Sequence, residues 1–161
     1  MVEGWADTRW GMTPAEARVA MPALVAEAPP QPCRDPGEQR ELRLDRTEVA
    51  GQTGFAWLCF REGRLRSVYL RRYRRDGPAA ATWIDDTAER LRADFGEPFE
   101  LEGVRGAPLP LPDSSSAFAT MIWMRGPTRI HYAHASDLLE IAYQSSRPFP
   151  EGGRLPREPA P

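Results

Sequence analysis

The chain has 161 residues, of which 41% are hydrophobic and 27% are charged. These proportions predict one globular domain with a hydrophobic core of its own. A formal net charge of −2 argues against a protein that binds nucleic acid or an anionic membrane through its overall charge. No apolar run approaches the roughly 20 residues that a transmembrane helix requires.

The first predicted element is a helix that begins after Thr13. Thr13 can cap the helix, Pro14 suits its first position, and Glu16 completes a capping box. Pro22 interrupts the apolar pattern, so the helix is expected to break or kink near Met21. The proline-rich residues 28–37 are predicted to form a loop.

Three strands are predicted next, at about 39–47, 55–60 and 65–73, because apolar and polar residues alternate or run continuously there. A second helix is predicted from Pro78 to Gly96, with one apolar stripe that includes Leu91 and Phe95. Three further strands are predicted at about 117–124, 128–134 and 138–144, after a long Pro- and Ser-rich segment at 102–116.

The element order α-βββ-α-βββ predicts an α+β fold in which helices pack on one face of an antiparallel sheet. Residues 1–145 are predicted to form a single domain, with an internal organisation into two half-repeats, about 9–75 and 78–145, as one interpretation. Residues 146–161 are predicted to be a disordered Pro-rich tail. The core is predicted from the apolar positions of each element: Leu42, Leu44, Trp57, Val68, Trp83, Leu91, Phe95, Trp123, Ile130 and Ile141.

Arginines are concentrated in one hairpin, where seven lie between positions 61 and 75 and only Glu62 opposes them. Guanidinium groups interleaved with tyrosines can bind carboxylate or phosphate. This arginine cluster is open to three interpretations: a solvated hairpin edge, a binding site for an acidic partner, or a binding site for nucleic acid. Nucleic acid is disfavoured because alternation splits the charges between two faces. The predicted partner-binding residues are Arg66, Arg71, Arg72, Arg74, Arg75 and Tyr73.

No residue pattern predicts a catalytic centre, a metal site or a cofactor. His131 and His134 would point to opposite faces of a strand, which disfavours a shared metal ion. There is no phosphate loop and no nucleophile elbow.

Cys33 and Cys59 allow one disulfide, and the sequence leaves open whether it forms. The compartment is open too. The protein is expected to be periplasmic if a signal peptide has been removed, and cytoplasmic otherwise. The sequence does not fix an oligomeric state.

Several motifs resemble those of small bacterial envelope proteins. The segment 9–16 (RWGMTPAE) is similar to a WGMT-type opening, the hairpin 49–68 to a glycine-containing hairpin of these proteins, and 91–98 (LRADFGEP) to the end of their second helix. The resemblance is to BamE/SmpA/OmlA-like domains and to the tandem domains of β-lactamase inhibitor protein. It implies a binding or assembly role in the cell envelope and carries over no catalytic residue.

The sequence therefore favours a non-enzymatic binding or assembly module that contacts another protein with an acidic surface. One alternative is a small-ligand binder or enzyme with a site in a sheet–helix groove. Another is a cytosolic adaptor or immunity-type protein that uses the arginine-rich hairpin.

Overall fold

The computed structural model describes residues 3–49, 51–73, 83–98, 100–102, 119–134 and 138–146. The described residues form two helices and one sheet of eight strands. The helices are α1 (Pro14–Ala20) and α2 (Trp83–Phe95). The strands are β1 (Val25–Pro32), β2 (Glu38–Val49), β3 (Gln52–Arg61), β4 (Arg64–Tyr73), β5 (Glu100–Glu102), β6 (Ala119–Arg125), β7 (Thr128–His134) and β8 (Leu138–Ser145).

The sheet order is β1-β2-β3-β4-β8-β7-β6-β5, and all neighbouring strands are antiparallel. The chain makes a meander of four strands, then a second meander of four, and the last strands of the two meanders pair with each other. The seam between β4 and β8 runs from Ser67 opposite Gln144 to Tyr73 opposite Leu138.

The predicted α+β arrangement, α-βββ-α-βββ with helices packed on the sheet, is wrong. The described residues form mainly an antiparallel sheet. The two helices among them have only 7 and 13 residues, and each of these helices is followed by four strands. The extra strands are β1, which falls partly in the predicted loop 28–37, and the three-residue β5. Strand β1 escaped prediction because it contains three prolines, which only an edge strand tolerates. Its pairing with β2 is irregular between Ala26 and Gln31, where two of those prolines lie.

Helix α1 has the predicted start. Thr13 Oγ1 accepts a hydrogen bond from Glu16 N (3.2 Å), and Glu16 Oε2 accepts one from Thr13 N (3.1 Å), which confirms the capping box. The helix ends at Ala20, just before Pro22, as the proline predicts.

One face of the sheet is apolar and carries the main core. Cross-strand neighbours on it include Leu58, Val68, Tyr143, Ile130 and Trp123, one from each of five adjacent strands. Ala17 of α1 and Leu91 of α2 are buried in the same cluster. Of the predicted core residues, those buried are Leu42, Leu44, Val68, Leu91, Trp123, Ile130 and Ile141. Phe95 packs against the cluster while partly exposed, and the side chain of Trp83 lies outside the described residues.

Trp57 is the exception, because its position in β3 places it on the opposite face. We call this second face the pocket face. It carries Trp57, Tyr69, Arg71, Glu140 and His131, which occupy facing register positions of β3, β4, β8 and β7. The sequence prediction assumed that the tryptophan of a central strand points into the main core, whereas both faces of this sheet bury large side chains.

The predicted tail, 146–161, lies outside the described residues except for Ser146, whose backbone nitrogen donates a hydrogen bond to Pro127 O (2.8 Å). The two proposed half-repeats remain a prediction. Neither described helix is long and apolar enough to cross a membrane.

Candidate anion-binding site

A cavity of about 310 Å³ opens on the pocket face, at the side of the sheet formed by the first meander. We call it the Trp57 pocket. Its wall combines three arginines, two aromatic rings and a pair of cysteines with a short proline-containing segment, namely Gln31, Pro32, Cys33, Arg34, Arg40, Trp57, Cys59, Tyr69 and Arg71. The described residues of this wall include no carboxylate, so the charge that lines the cavity is positive.

A disulfide closes one side of the pocket. Cys33 and Cys59 are bonded, with Cα atoms 6.4 Å apart and a sequence separation of 26. This answers the question that the sequence left open. The bond fixes the segment after β1 to the central strand β3, and Cys33 N donates a hydrogen bond to Glu38 O (3.0 Å). The next residue, Arg34, is thereby held over the sheet.

The Trp57 ring is the centre of the site. The guanidinium carbon of Arg40 lies 4.2 Å from the ring centre, and that of Arg71 lies 4.3 Å from it. The negative face of an indole attracts cations, and this attraction is stronger where water is excluded. The ring therefore helps to hold two like charges close to each other.

Glu140 supplies the buried counter-charge. Its Oε2 accepts a hydrogen bond from Arg71 Nε (2.7 Å), and its Oε1 accepts one from Arg34 Nη2. The side chains of Glu140 and Arg71 are 2% and 3% exposed, and that of Arg34 is 29% exposed. A charge buried to this degree requires a partner, and Glu140 meets that need for two arginines at once.

Arg40 is balanced less completely. Its Nε lies 3.2 Å from Glu27 Oε1, without the geometry of a hydrogen bond, so this buried donor has no acceptor in the described part of the chain. Glu27 also lies 3.6 Å from Arg43 and is therefore shared. Glu140 and the shared Glu27 lie against the arginines of the wall, and the Asp35 carboxyl adds to burial in raising the pKa of Tyr69. Among the described residues, the wall itself carries guanidinium groups and no carboxylate.

Arg34 also contacts an aromatic ring. Its guanidinium carbon lies 5.3 Å from the centre of the Tyr69 ring. The Tyr69 hydroxyl accepts a hydrogen bond from Gln144 Nε2 (3.3 Å), and burial raises the pKa of Tyr69. Tyr69 is therefore a neutral phenol that forms an apolar wall.

Two buried titratable groups lie on the same side of the sheet. Burial, followed by a hydrogen bond and repulsion from the Asp35 carboxyl, raises the pKa of Glu38 to about 7. Glu38 Oε1 accepts from Ser67 Oγ (3.3 Å). Burial also lowers the pKa of His131 to about 4, helped by Arg129 and Arg34, and His131 Nε2 has no hydrogen-bond partner in the described structure.

The structure separates the predicted partner-binding residues. Arg71 belongs to the Trp57 pocket. Arg72 is buried on the other face, where its Nη1 donates to Val49 O (3.0 Å) and burial lowers its pKa. Arg66 lies at a bulge in β4. Its charge is close enough to Glu38 to oppose part of the rise in the pKa of that carboxyl. Because Arg71 and Arg72 are only 2% and 5% exposed, they do not belong to an exposed patch.

Tyr73, by contrast, is 49% exposed and stacks on Phe55. Arg74 and Arg75 lie outside the described residues.

Among the described residues, no group of three or more His, Cys, Asp or Glu side chains is arranged to hold a metal ion.

Arg34, Arg40 and Glu140 were not predicted from the sequence. A signal for Glu140 was present, because it interrupts the apolar run 138–142 (LLEIA), and a charge in such a run predicts a buried partner. Arg34 and Arg40 carry no comparable signal, since their placement depends on the disulfide and on the irregular edge of the sheet.

A second cavity, of about 600 Å³, lies between the N-terminal segment and the residues Phe95 and Tyr143. The charged pair on its wall, Arg9 and Glu3, is 70% and 51% exposed. The second cavity therefore lacks the buried and incompletely balanced charge of the Trp57 pocket.

Comparisons with protein-family models, curated proteins and solved structures found no match to this chain.

Proposed function

We propose that this protein is a non-enzymatic binding module that holds an acidic group of a partner protein in the Trp57 pocket. The observation that carries the proposal is the pair Arg34 and Arg40. Both guanidiniums line one cavity and are fixed against aromatic rings. Apart from their contacts with Glu140 and Glu27, they make no other hydrogen bond or ion pair to the described residues.

Preorganisation supports this function. An arginine on a free surface must give up side-chain entropy when it binds an anion, whereas an arginine already held against a ring and a carboxylate gives up less. A carboxylate that enters the cavity would accept charge-assisted hydrogen bonds, which are roughly twice as strong as neutral ones.

The disulfide supports a location in the cell envelope, which the motif resemblance also implies. Disulfides form and persist in oxidising compartments such as the bacterial periplasm and are rare in the cytosol. An assembly role in the envelope is therefore part of this proposal.

The test uses a short labelled peptide in which glutamates alternate with glycines, and the same peptide with glutamine in place of glutamate. Fluorescence anisotropy with the unmodified protein should show binding of the glutamate peptide and weaker binding of the glutamine peptide. The variant Arg40→Gln should weaken binding of the glutamate peptide by about tenfold, the effect of losing a charge-assisted hydrogen bond.

Arg43→Gln is the matched control. It removes the same charge from the same strand, close to the same Glu27, but Arg43 does not line the cavity. Binding by this variant should stay within about twofold of the unmodified protein, as expected for an exposed charge. Equal binding of the two peptides, or equal losses in the two variants, would contradict the proposal.

A further inference from the structure

The walls of the Trp57 pocket indicate which acidic groups it accepts. The positive charge comes from guanidiniums, but much of the remaining wall is apolar: the Trp57 ring, the Tyr69 ring, Pro32 and the disulfide. A highly hydrated anion such as phosphate would leave these surfaces without a contact. A carboxylate attached to an apolar group would satisfy both parts of the wall.

The size of the cavity restricts the ligand further. A volume of about 310 Å³ is at the lower end of the range of roughly 300–1,000 Å³ seen for small-molecule sites. The cavity therefore accommodates one compact group, about the size of an amino-acid residue with its side chain, and not a run of charged residues.

The fixed walls favour recognition of a defined shape. Cys59 and Tyr69 are 1% and 3% exposed and form a small buried cluster with Ala142, against which Trp57 and Cys33 pack. The disulfide joins two residues of the wall, Cys33 and Cys59. The apolar part of the site is thus built before a ligand arrives, which lowers the entropy lost on binding.

Resting on the proposed function, we infer that the Trp57 pocket recognises a carboxylate carried by a single apolar or aromatic group. Arg34 and Arg40 would donate hydrogen bonds to the two carboxylate oxygens. The apolar part would lie against Trp57, Tyr69 and the disulfide. The same chemistry is offered by the C-terminal residue of a polypeptide and by a small aromatic or aliphatic acid.

The experiment compares defined small probes by isothermal titration calorimetry. The probes are N-acetyl-phenylalanine, its amide, sodium acetate and inorganic phosphate. N-acetyl-phenylalanine should bind most tightly. Its amide should lose about tenfold in affinity because the charge-assisted hydrogen bonds are gone, and acetate and phosphate should each bind about tenfold more weakly because the apolar contact is missing.

Further probes separate the sources of the carboxylate. A tripeptide that ends in phenylalanine, as the free acid or as the amide, tests a polypeptide C-terminus. N-acetyl-glutamate α-amide tests an acidic side chain. If the free acid of the tripeptide matches N-acetyl-phenylalanine, the pocket accepts a chain end. If only N-acetyl-phenylalanine binds, the pocket selects the free small acid. Both results support the inference.

Two variants test the assignment to this cavity. Arg34→Gln and Trp57→Leu should each weaken N-acetyl-phenylalanine binding, whereas Arg43→Gln should not. Circular dichroism of each variant establishes that it folds. If Trp57→Leu does not fold, Arg34→Gln still tests the assignment, because Arg34 lies in a loop segment and its side chain is partly exposed.

Two patterns of relative affinity would overturn the inference. In one, the acid and the amide bind equally. In the other, acetate or N-acetyl-glutamate α-amide binds as tightly as N-acetyl-phenylalanine, which would leave the proposed binding of an acidic group intact but remove the apolar requirement. Absence of binding by every small acid, with glutamate-peptide binding retained, would also reject the inference without rejecting the proposed function.

Discussion

Glu140 is the residue whose burial most constrains the site. It is the common acceptor for Arg34 and Arg71, and its side chain is 2% exposed. Strand β8 does not itself line the Trp57 pocket. Its buried carboxylate nevertheless determines the position of two guanidinium groups of the pocket. The ion pairs therefore connect the second meander to the Trp57 pocket on the first.

Glu140→Gln should destabilise the protein strongly. The change removes the carboxylate that pairs with the buried Arg71 guanidinium (2.7 Å), and breaking a buried pair in this way costs about 3–5 kcal/mol. Urea unfolding measures the free energy directly. The exposed pair Arg90–Glu48 (2.8 Å) provides the control, because Glu48→Gln should change stability by less than about 1 kcal/mol. Similar losses in both variants would contradict the role assigned to Glu140.

Glu38 should make the protein less stable as the pH rises. Its pKa is about 7 in the folded protein against an ordinary value of 4.5, so the folded state holds the proton more tightly than the unfolded state does. The favourable contribution is complete below about pH 4.5 and is lost as the pH rises to about 7, with a magnitude on the order of 2 kcal/mol. Glu38→Gln should remove this dependence.

His131 should act in the opposite direction. Its pKa is about 4 in the folded protein against an ordinary value of 6.5, so the unfolded state binds the proton more readily. Stability is then lost as the pH falls from about 6.5 to about 4, by on the order of 2 kcal/mol. The two slopes partly cancel in the unmodified protein. Chemical denaturation between pH 4 and 7.5 should therefore show a steeper decline toward neutral pH in His131→Gln. An unchanged profile would contradict this assignment.

At the scale of the elements, the disulfide links an irregular segment to a central strand. The chain between Cys33 and Cys59 includes all of β2 and most of β3. The bond lies directly before Arg34, so it serves both stability and the shape of the site.

Cys33→Ser/Cys59→Ser should lower the free energy of unfolding by about 3–4 kcal/mol, the value expected for a closed loop of this length. The double variant should also bind the glutamate peptide more weakly, since Arg34 loses its fixed position. Reduction of the unmodified protein with dithiothreitol provides an independent comparison. If peptide binding is unaffected by both treatments, the disulfide has no role in shaping the pocket.

The sequence predicted those elements that local signals specify. The capping box placed α1, and alternating apolar residues placed the strands of the β3–β4 hairpin. The hairpin turns at Glu62 and Gly63, whose φ values of +52° and +73° are those of a tight hairpin turn. Strand β1 was not predicted because its prolines are typical of a loop. The order of the sheet depends on the pairing of β4 with β8, between residues some 70 positions apart, for which no local signal exists.

The candidate site was harder to predict than the fold. Arg71 was selected because of the local concentration of arginine, and Arg72 was selected for the same reason although it lies on the other face. Trp57 was assigned to the core because it is large and lies in a central strand. Its actual environment results from two arginines, one on the neighbouring strand on each side, and local sequence does not specify which charges meet a given ring.

At the scale of the whole molecule, the β4–β8 seam makes one sheet from two meanders. Leu70 and Ile141 face each other across it and are 4% and 2% exposed. Both belong to the core cluster that also contains Leu58 from β3 and Ile130 from β7. The described strands of both meanders are therefore expected to unfold together.

Ile141→Ala tests this coupling. Loss of the buried side chain should cost about 2–5 kcal/mol. Hydrogen exchange followed by mass spectrometry should show that peptides from β3 and β7 lose protection by similar amounts. Loss of protection in β7 alone would show that the two meanders are separate folding units.

The most direct test of the account is to locate the bound acidic group by NMR. The glutamate peptide is titrated into ¹⁵N-labelled protein while the indole N–H signals of the tryptophans are followed. Two of these serve as internal controls, because Trp10 Nε1 donates to Thr128 Oγ1 (2.8 Å) and Trp123 Nε1 to Gly96 O (2.8 Å), away from the pocket. The account predicts that the Trp57 indole and the Arg40 Nε–H signals shift in a saturable manner while those of Trp10 and Trp123 do not. Saturable shifts at Trp10 or Trp123, with those of Trp57 and Arg40 unchanged, would contradict it.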